Sequence, residues 1–368
     1  ADFGADVIKV EPPEGDVTRR MVPFIGDEPG PDRSAVFLHT NTNKRSVVLD
    51  LTRESDRERF RALVATTQIL VESFQPGTLD GWGLGFDALT SLVPRLVMVS
   101  ITPFGQTGPY ASYQGSEIVY YGMGGPMLGN GLPDQEPLKL GGYMSEYQSG
   151  NSAATAALGA LMIAEAEDGE AVHVDVSGLE TQLSNSDRRT TFLLNYAYNH
   201  ESTDRSNVLG STLPNGLLPT ADGYVQMVVT PPWVPRMLAT IQDPDLNELF
   251  ARVAQNPSLL AQPATKEAID AALYPWLLSR TKQEVMEAAQ AHKWPVTALK
   301  NPVEVLEDEH FKTRGFFTQV HHPTVGTVTH PGAPFHVSDG WSLAPAPSLG
   351  AHTDEVLGSL PAAHPAGH

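Results

Sequence analysis

The chain contains no cysteine among its 368 residues. That absence excludes disulfides, thiolate catalysis and cysteine-ligated metals, and it fits a cytoplasmic setting. Positive charge is also scarce, with 24 Lys and Arg against 43 Asp and Glu and a formal net charge of -19. Such a surface lacks the clustered cations that phosphate backbones require, so no nucleic-acid partner is expected. Apolar runs all fall short of a membrane span, so no membrane partner is expected either. The His321-His322 pair has no His or carboxylate at ligand spacing on its own element. It reads as surface or inter-strand histidine, and no metal is expected. Gly122-Met123-Gly124-Gly125 and Gly129-Asn130-Gly131 neither follow a strand nor open a helix, so neither is a dinucleotide or phosphate-loop fingerprint.

What is present points to an α/β enzyme of two domains. From Asp6 to about Ile101, short β-branched runs alternate with amphipathic segments. Strands are expected over Asp6–Val10, Val47–Leu51, Ile69–Val71 and Leu96–Ile101, with helices over Glu54–Thr66 and Phe86–Leu92. This alternation predicts a doubly wound, Rossmann-like sheet. Pro103 to Leu140 is rich in Gly and Pro and reads as a long loop with one short helix around Ile118–Tyr121. Tyr147 to Ala166 has the Ala, Ser and Gly content of a closely packed helix, and Val172–Val176 reads as a further strand. An Asp222-Gly223 turn then introduces a strand over Tyr224–Val229, and a helix is expected over Lys282–Lys293. The expected organisation is a large domain over residues 1–183, a linker over 184–214, a small α+β domain over 215–322, and a return to the large domain over 323–368. The last residues, 361–368, are expected to be disordered.

Several short motifs occur in one order along almost the whole chain. They include Gly4-Ala5-Asp6-Val7-Ile8-Lys9-Val10-Glu11-Pro12, Asn43-Lys44-Arg45-Ser46-Val47-Val48-Leu49-Asp50-Leu51 and Val71-Glu72-Ser73-Phe74-Gln75-Pro76-Gly77. Ser100-Ile101-Thr102-Pro103-Phe104-Gly105, Asp175-Val176-Ser177, Pro331-Gly332-Ala333-Pro334-Phe335 and Gly350-Ala351-His352-Thr353 follow. In this order they resemble the class III CoA-transferase (CaiB/BaiF) family, formyl-CoA transferase in particular. The resemblance implies a dimer of interlocked chains, either a homodimer or a heterodimer with a paralogue. It also implies a strand before the first one read above, so about 25 to 30 residues are expected to precede Ala1.

The resemblance further implies the chemistry. In that family an Asp attacks an acyl-CoA thioester, the freed thiolate attacks the resulting anhydride, and the enzyme-bound thioester passes CoA to a second carboxylic acid. No metal takes part. Gly150 matches the glycine four residues after that Asp, which places Glu146 at the nucleophile position. Glu146 has a second reading as an ordinary first-turn acid of a helix. Glu117 matches an acid that lines the acyl site, with the same helix-start alternative. Its neighbour Ser116 stands where family racemases carry a His, so α-proton exchange is not expected. CoA contacts map by resemblance to Leu49, Asp50, Leu51, Thr52, Arg53, Ser73, Phe74, Gln75, Gly81 and Gln114. Several cations of formyl-CoA transferase are replaced there, and Arg53 stands beside one lost position. These departures keep a second hypothesis open: a catalytically inert subunit that interlocks with an Asp-bearing partner. Lys44 and Arg45 at a strand start read as structural residues.

Overall fold

A computed structural model describes residues 1–184, 188–201, 205, 212–338 and 340–360. Residues 361–368, and parts of the expected linker over 184–214, lie outside the described residues. The chain divides into two compact units: Ala1–Gly131 with Pro137–Asp204 and Lys312–His368, and Leu132–Glu136 with Arg205–Phe311.

In the first unit, β1 (Val7–Glu11) runs parallel to β2 (Lys44–Val48), pairing Val7 with Lys44 and Glu11 with Val48. A second parallel ladder has the order β3 (Ile69–Glu72), β4 (Val97–Thr102) and β5 (Val172–Ser177). The expected continuous doubly wound sheet is thus resolved into a two-stranded and a three-stranded ladder. Hydrophobic runs reveal parallel strands but not which edges bond to one another. Central β4 is apolar over Val97-Met98-Val99 and buried along nearly its whole length, as a strand covered on both faces must be. One core forms where helix Glu54–Val64 lays Phe60, Leu63 and Val64 against Leu79, Leu84, Leu89, Leu96 and Met98. Helix Met144–Ala164 buries Ala153, Ala157, Ala160 and Ala164 on Val97, Val99 and Val176. These small side chains at three- and four-residue spacing let the helix lie close on β4 and β5.

The C-terminal return closes this unit along β2. Ser46 N–H donates to Nδ1 of His352, Val48 N–H to Oγ1 of Thr353 (3.0 Å), and Gly350 N–H to Oγ of Ser46 (2.8 Å). Beneath it lies a fully buried ion pair. Arg19 reaches both carboxylate oxygens of Glu11, at 2.7 and 2.8 Å, and also Asp32 and the carbonyl of Pro347. Its guanidinium lies 3.7 Å from the ring centre of Phe37. Lys44 donates to Thr40 O and Asn41 Oδ1, and Arg45 pairs with Asp6 and Glu355, so both serve structure at the strand start.

The second unit holds an antiparallel sheet of β6 (Asn215–Pro219), β7 (Tyr224–Val228) and β8 (Val296–Ala298). Its helices include Pro244–Gln255, Pro263–Leu278 and Lys282–Ala291, the last opened by a reciprocal Thr281/Glu284 capping box. Fully buried Trp294 closes the core and donates Nε1–H to Val228 O at 3.2 Å.

β9 (Phe317–His322) and β10 (Gly326–Pro331) form an antiparallel hairpin that groups with the first unit, not with the small domain expected to run to 322. Val325 in the hairpin turn packs on the buried cluster of Phe37, Leu38 and Ala346, and the ring of His330 lies 6.4 Å from that of His39. His322 and His330 are both buried and share an Nε2–Nε2 hydrogen bond of 2.9 Å. They are therefore inter-strand histidines.

Candidate active site

Glu146 stands in the first turn of helix Met144–Ala164, with its surface open to solvent. The residue before the helix, Tyr143, supplies no side-chain cap, so the first backbone N–H groups need partners from elsewhere. Glu117 provides one: its Oε1 accepts the N–H of Ser145 at 3.1 Å. Glu117 is itself buried at the start of helix Glu117–Met123 and is neutralised by Lys139, whose Nζ lies 2.5 Å from Oε2. The ammonium also donates to the carbonyls of Leu140 (2.8 Å) and Gly142 (2.6 Å). Gly142 turns the chain into the helix at a φ of 69°, a left-handed value that disfavours a side chain.

Electrostatics tie these groups together. Surrounding protein partly desolvates the Glu146 carboxyl even though the residue is exposed at its surface. That desolvation, followed by the charge of Glu117, raises its pKa above the usual carboxylate value, while Lys139 pulls it back down. Buried Tyr120 is shifted upward by desolvation and then by Glu146 and Glu117, so its phenol stays protonated at neutral pH. Ser145 Oγ is fully buried and has no hydrogen-bond partner among the described residues. The cluster is an accessible carboxylate with a raised pKa beside a buried, compensated one, which suits a group that must be both anionic and nucleophilic.

The residues mapped to CoA follow the C-terminal ends of parallel strands, the edge where open α/β sheets take ligands. After β2, Leu49 is in the core and Leu51 packs against it. Asp50 accepts hydrogen bonds from Thr52 N–H (3.1 Å) and Thr52 Oγ (2.5 Å), and it pairs with exposed Arg53 at 3.0 Å. Arg57 donates to the carbonyls of Leu51 and Thr52, both at 3.0 Å, and so fixes the loop. After β3, Ser73 and Gln75 are exposed, and half-open Phe74 meets Trp82 edge to face with ring centres 5.4 Å apart. Trp82 and Leu51 pack on the same core, which brings the two loops to one region. Gly81 ends the short helix Thr78–Gly81. Gln114 is exposed just before Gly115, where an added Cβ would lie 2.4 Å from Pro103 Cβ. Ser116 precedes Glu117 without forming a side-chain cap.

Reading the sequence did not single out Lys139, Tyr120 or Ser145. A signal existed for the first: Lys139 is the sole Lys or Arg between Arg95 and Arg188. No group of three or more His, Asp or Glu that could hold a metal occurs among the described residues, and no helix there is long and apolar enough to cross a membrane.

The model of CoA-transferase family III matches residues 1–353. Succinate--glutarate CoA-transferase of Agrobacterium fabrum is 31% identical over 371 residues, covering 98% of this chain and 90% of the relative. Succinyl-CoA:(R)-benzylsuccinate CoA-transferase subunit BbsE of Thauera aromatica is 30% identical over 376 residues, covering 97% and 88%. Among solved structures, a CaiB/BaiF family protein from Brucella suis superposes with a TM-score of 0.80 at 29% identity, covering 98% of this chain and 93% of that one.

Proposed function

The chain belongs to CoA-transferase family III, and on that premise we propose that it moves coenzyme A from an acyl-CoA thioester to a free carboxylic acid with Glu146 as the nucleophile. A Glu146 oxygen attacks the thioester carbonyl, and the C–S bond breaks to release CoA thiolate and leave a mixed anhydride. The thiolate then attacks the Glu146 carbonyl, which frees the first carboxylate and leaves a glutamyl-CoA thioester. The acceptor acid repeats these two steps in reverse, so Glu146 is regenerated and acyl-CoA of the acceptor departs. Each stage exchanges one acyl bond for another and needs no oxidant or external base. The observation that carries this reading is the accessible, pKa-raised carboxyl of Glu146 at the head of the helix, beside the compensated Glu117. Glu117 bounds the acyl side of the site. The loops at Leu49–Arg53, Ser73–Gln75, Gly81 and Gln114 hold the CoA moiety, with Arg53 as a phosphate partner and Phe74 as an apolar platform.

Both named relatives act on succinate or succinyl-CoA, so succinyl-CoA is the first donor to test. Incubation with it, followed by hydroxylamine or borohydride, is expected to modify Glu146, read by peptide mass. An unmodified Glu146 peptide beside a labelled Asp-bearing family member sinks the nucleophile assignment.

A second reading has its own support, because one relative is named as a subunit. In that reading this chain interlocks with an Asp-bearing paralogue and contributes no nucleophile. In either reading an interlocked partner covers apolar surface: Leu158, Met162 and Ile163 of helix Met144–Ala164 are 62%, 77% and 61% exposed. Ser116 offers no base for racemase chemistry.

A further inference from the structure

Resting on the reading of Glu146 as the nucleophile, we propose that Lys139 is a positioning residue for the transfer reaction: it locks Glu117 and the turn ahead of helix Met144–Ala164, and through them it sets the orientation and charge state of Glu146. An ammonium has three N–H donors. Lys139 spends them on Glu117 Oε2, Leu140 O and Gly142 O, so its charge serves this cluster and not a ligand phosphate. Two consequences follow from that geometry.

The first is mechanical. Glu117 is anchored by Lys139 through one oxygen and accepts Ser145 N–H through the other, one residue before Glu146. Leu140 and Gly142 belong to the turn that delivers the chain into the same helix. Lys139 therefore holds the nucleophile's backbone from both sides, and a displacement of about 1 Å there costs on the order of a hundredfold in rate.

The second is electrostatic. The charged or titratable groups that face Glu146 are Glu117 and Tyr120 of the neighbouring helix and Lys139 of the preceding loop. With the ammonium in place, the two carboxylates carry one net negative charge. Without it, the charge of Glu117 is no longer offset, and Glu146 retains its proton into a higher pH range.

The test uses Lys139→Gln, whose amide keeps two N–H donors for the turn carbonyls but removes the charge, beside Lys139→Arg. The acid limb of the kcat profile is expected to move to higher pH by about half a pH unit or more in Lys139→Gln. The loss at pH 6 to 7 is expected in kcat rather than KM, and Lys139→Arg keeps the limb near its original place. A folded Lys139→Gln with an unmoved limb overturns the proposal. Carbon-13 titration of the Glu146 carboxyl, assigned with Glu146→Gln, reads the same effect without turnover. If the wild type transfers no CoA, the nucleophile reading fails, and the titration still decides the role of Lys139: an upward move in Lys139→Gln supports it and an unchanged midpoint refutes it.

Discussion

The backbone N–H of Ser145 donates to the buried carboxylate of Glu117 at 3.1 Å, so a side chain from one helix caps the start of the next, one residue from Glu146. Glu117→Gln preserves this bond through its amide oxygen but removes the charge that raises the Glu146 pKa. The acid limb of kcat is then expected at lower pH than in the wild type, because desolvation alone is left to raise the Glu146 pKa while Lys139 still favours its anion. This shift is opposite in sign to that of Lys139→Gln. A pH–rate profile that moves the same way in both variants contradicts the charge assignment.

Glu146→Gln should lower transfer by on the order of a thousandfold or more, since the anhydride cannot form. Glu146→Asp keeps the carboxylate but withdraws it by one methylene, and a loss of about a hundredfold is expected. Steady-state kinetics with succinyl-CoA and a dicarboxylate acceptor measure both. A Glu146→Asp variant faster than wild type would show a pocket still fitted to the shorter acid.

The buried histidine pair makes stability pH-dependent. Burial, followed by the neighbouring imidazoles, lowers the pKa of His322 to about 4, and burial also lowers that of His330. The unfolded chain therefore binds more protons than the folded one between the ordinary histidine value of about 6.5 and about 4. Stability is present in full above that window and is lost as pH falls through it. His322→Phe should flatten the decline in Tm across this range, and an undiminished slope assigns the acid sensitivity elsewhere.

Arg19→Met leaves Glu11 as an uncompensated buried carboxylate, because the bidentate pair is closed to water on both sides. A loss of about 3 to 5 kcal/mol is expected, read as a fall in the denaturant midpoint of the first unit. A variant within 1 kcal/mol of wild type on the same scale means that Glu11 finds another partner or a proton.

Much of the scaffold is legible in the sequence. Val97-Met98-Val99 announces a strand covered on both faces, and the alanines from Ala153 to Ala164 announce a helix pressed onto it. The Asp222-Gly223 turn appears where expected, ahead of β7. What stayed hidden depends on contacts between distant segments. The Glu117–Ser145 bond spans 28 residues, and nothing local to either residue signals it. Lys139 was marked only by its isolation among acids. The hairpin of β9 and β10 looks the same in sequence whichever unit it joins; in the fold Val325 packs on the cluster of Phe37 and Leu38, and His330 lies beside His39. The side chain of Leu49, one of the residues expected to contact CoA, lies in the core, because a residue just past a strand can still point inward.

The closing of β2 by residues 350–353, and of the Arg19 shell by Pro347, orders the events of biosynthesis. On the ribosome the small unit, complete by Phe311, emerges whole while the large one still lacks its final wall. A nascent chain halted short of Pro347 leaves the Arg19 guanidinium without one of its carbonyl partners and one edge of β2 bare. Residues 347–353 thus seal strands far upstream of them, and termination before they are made yields a protein with β2 unsheltered.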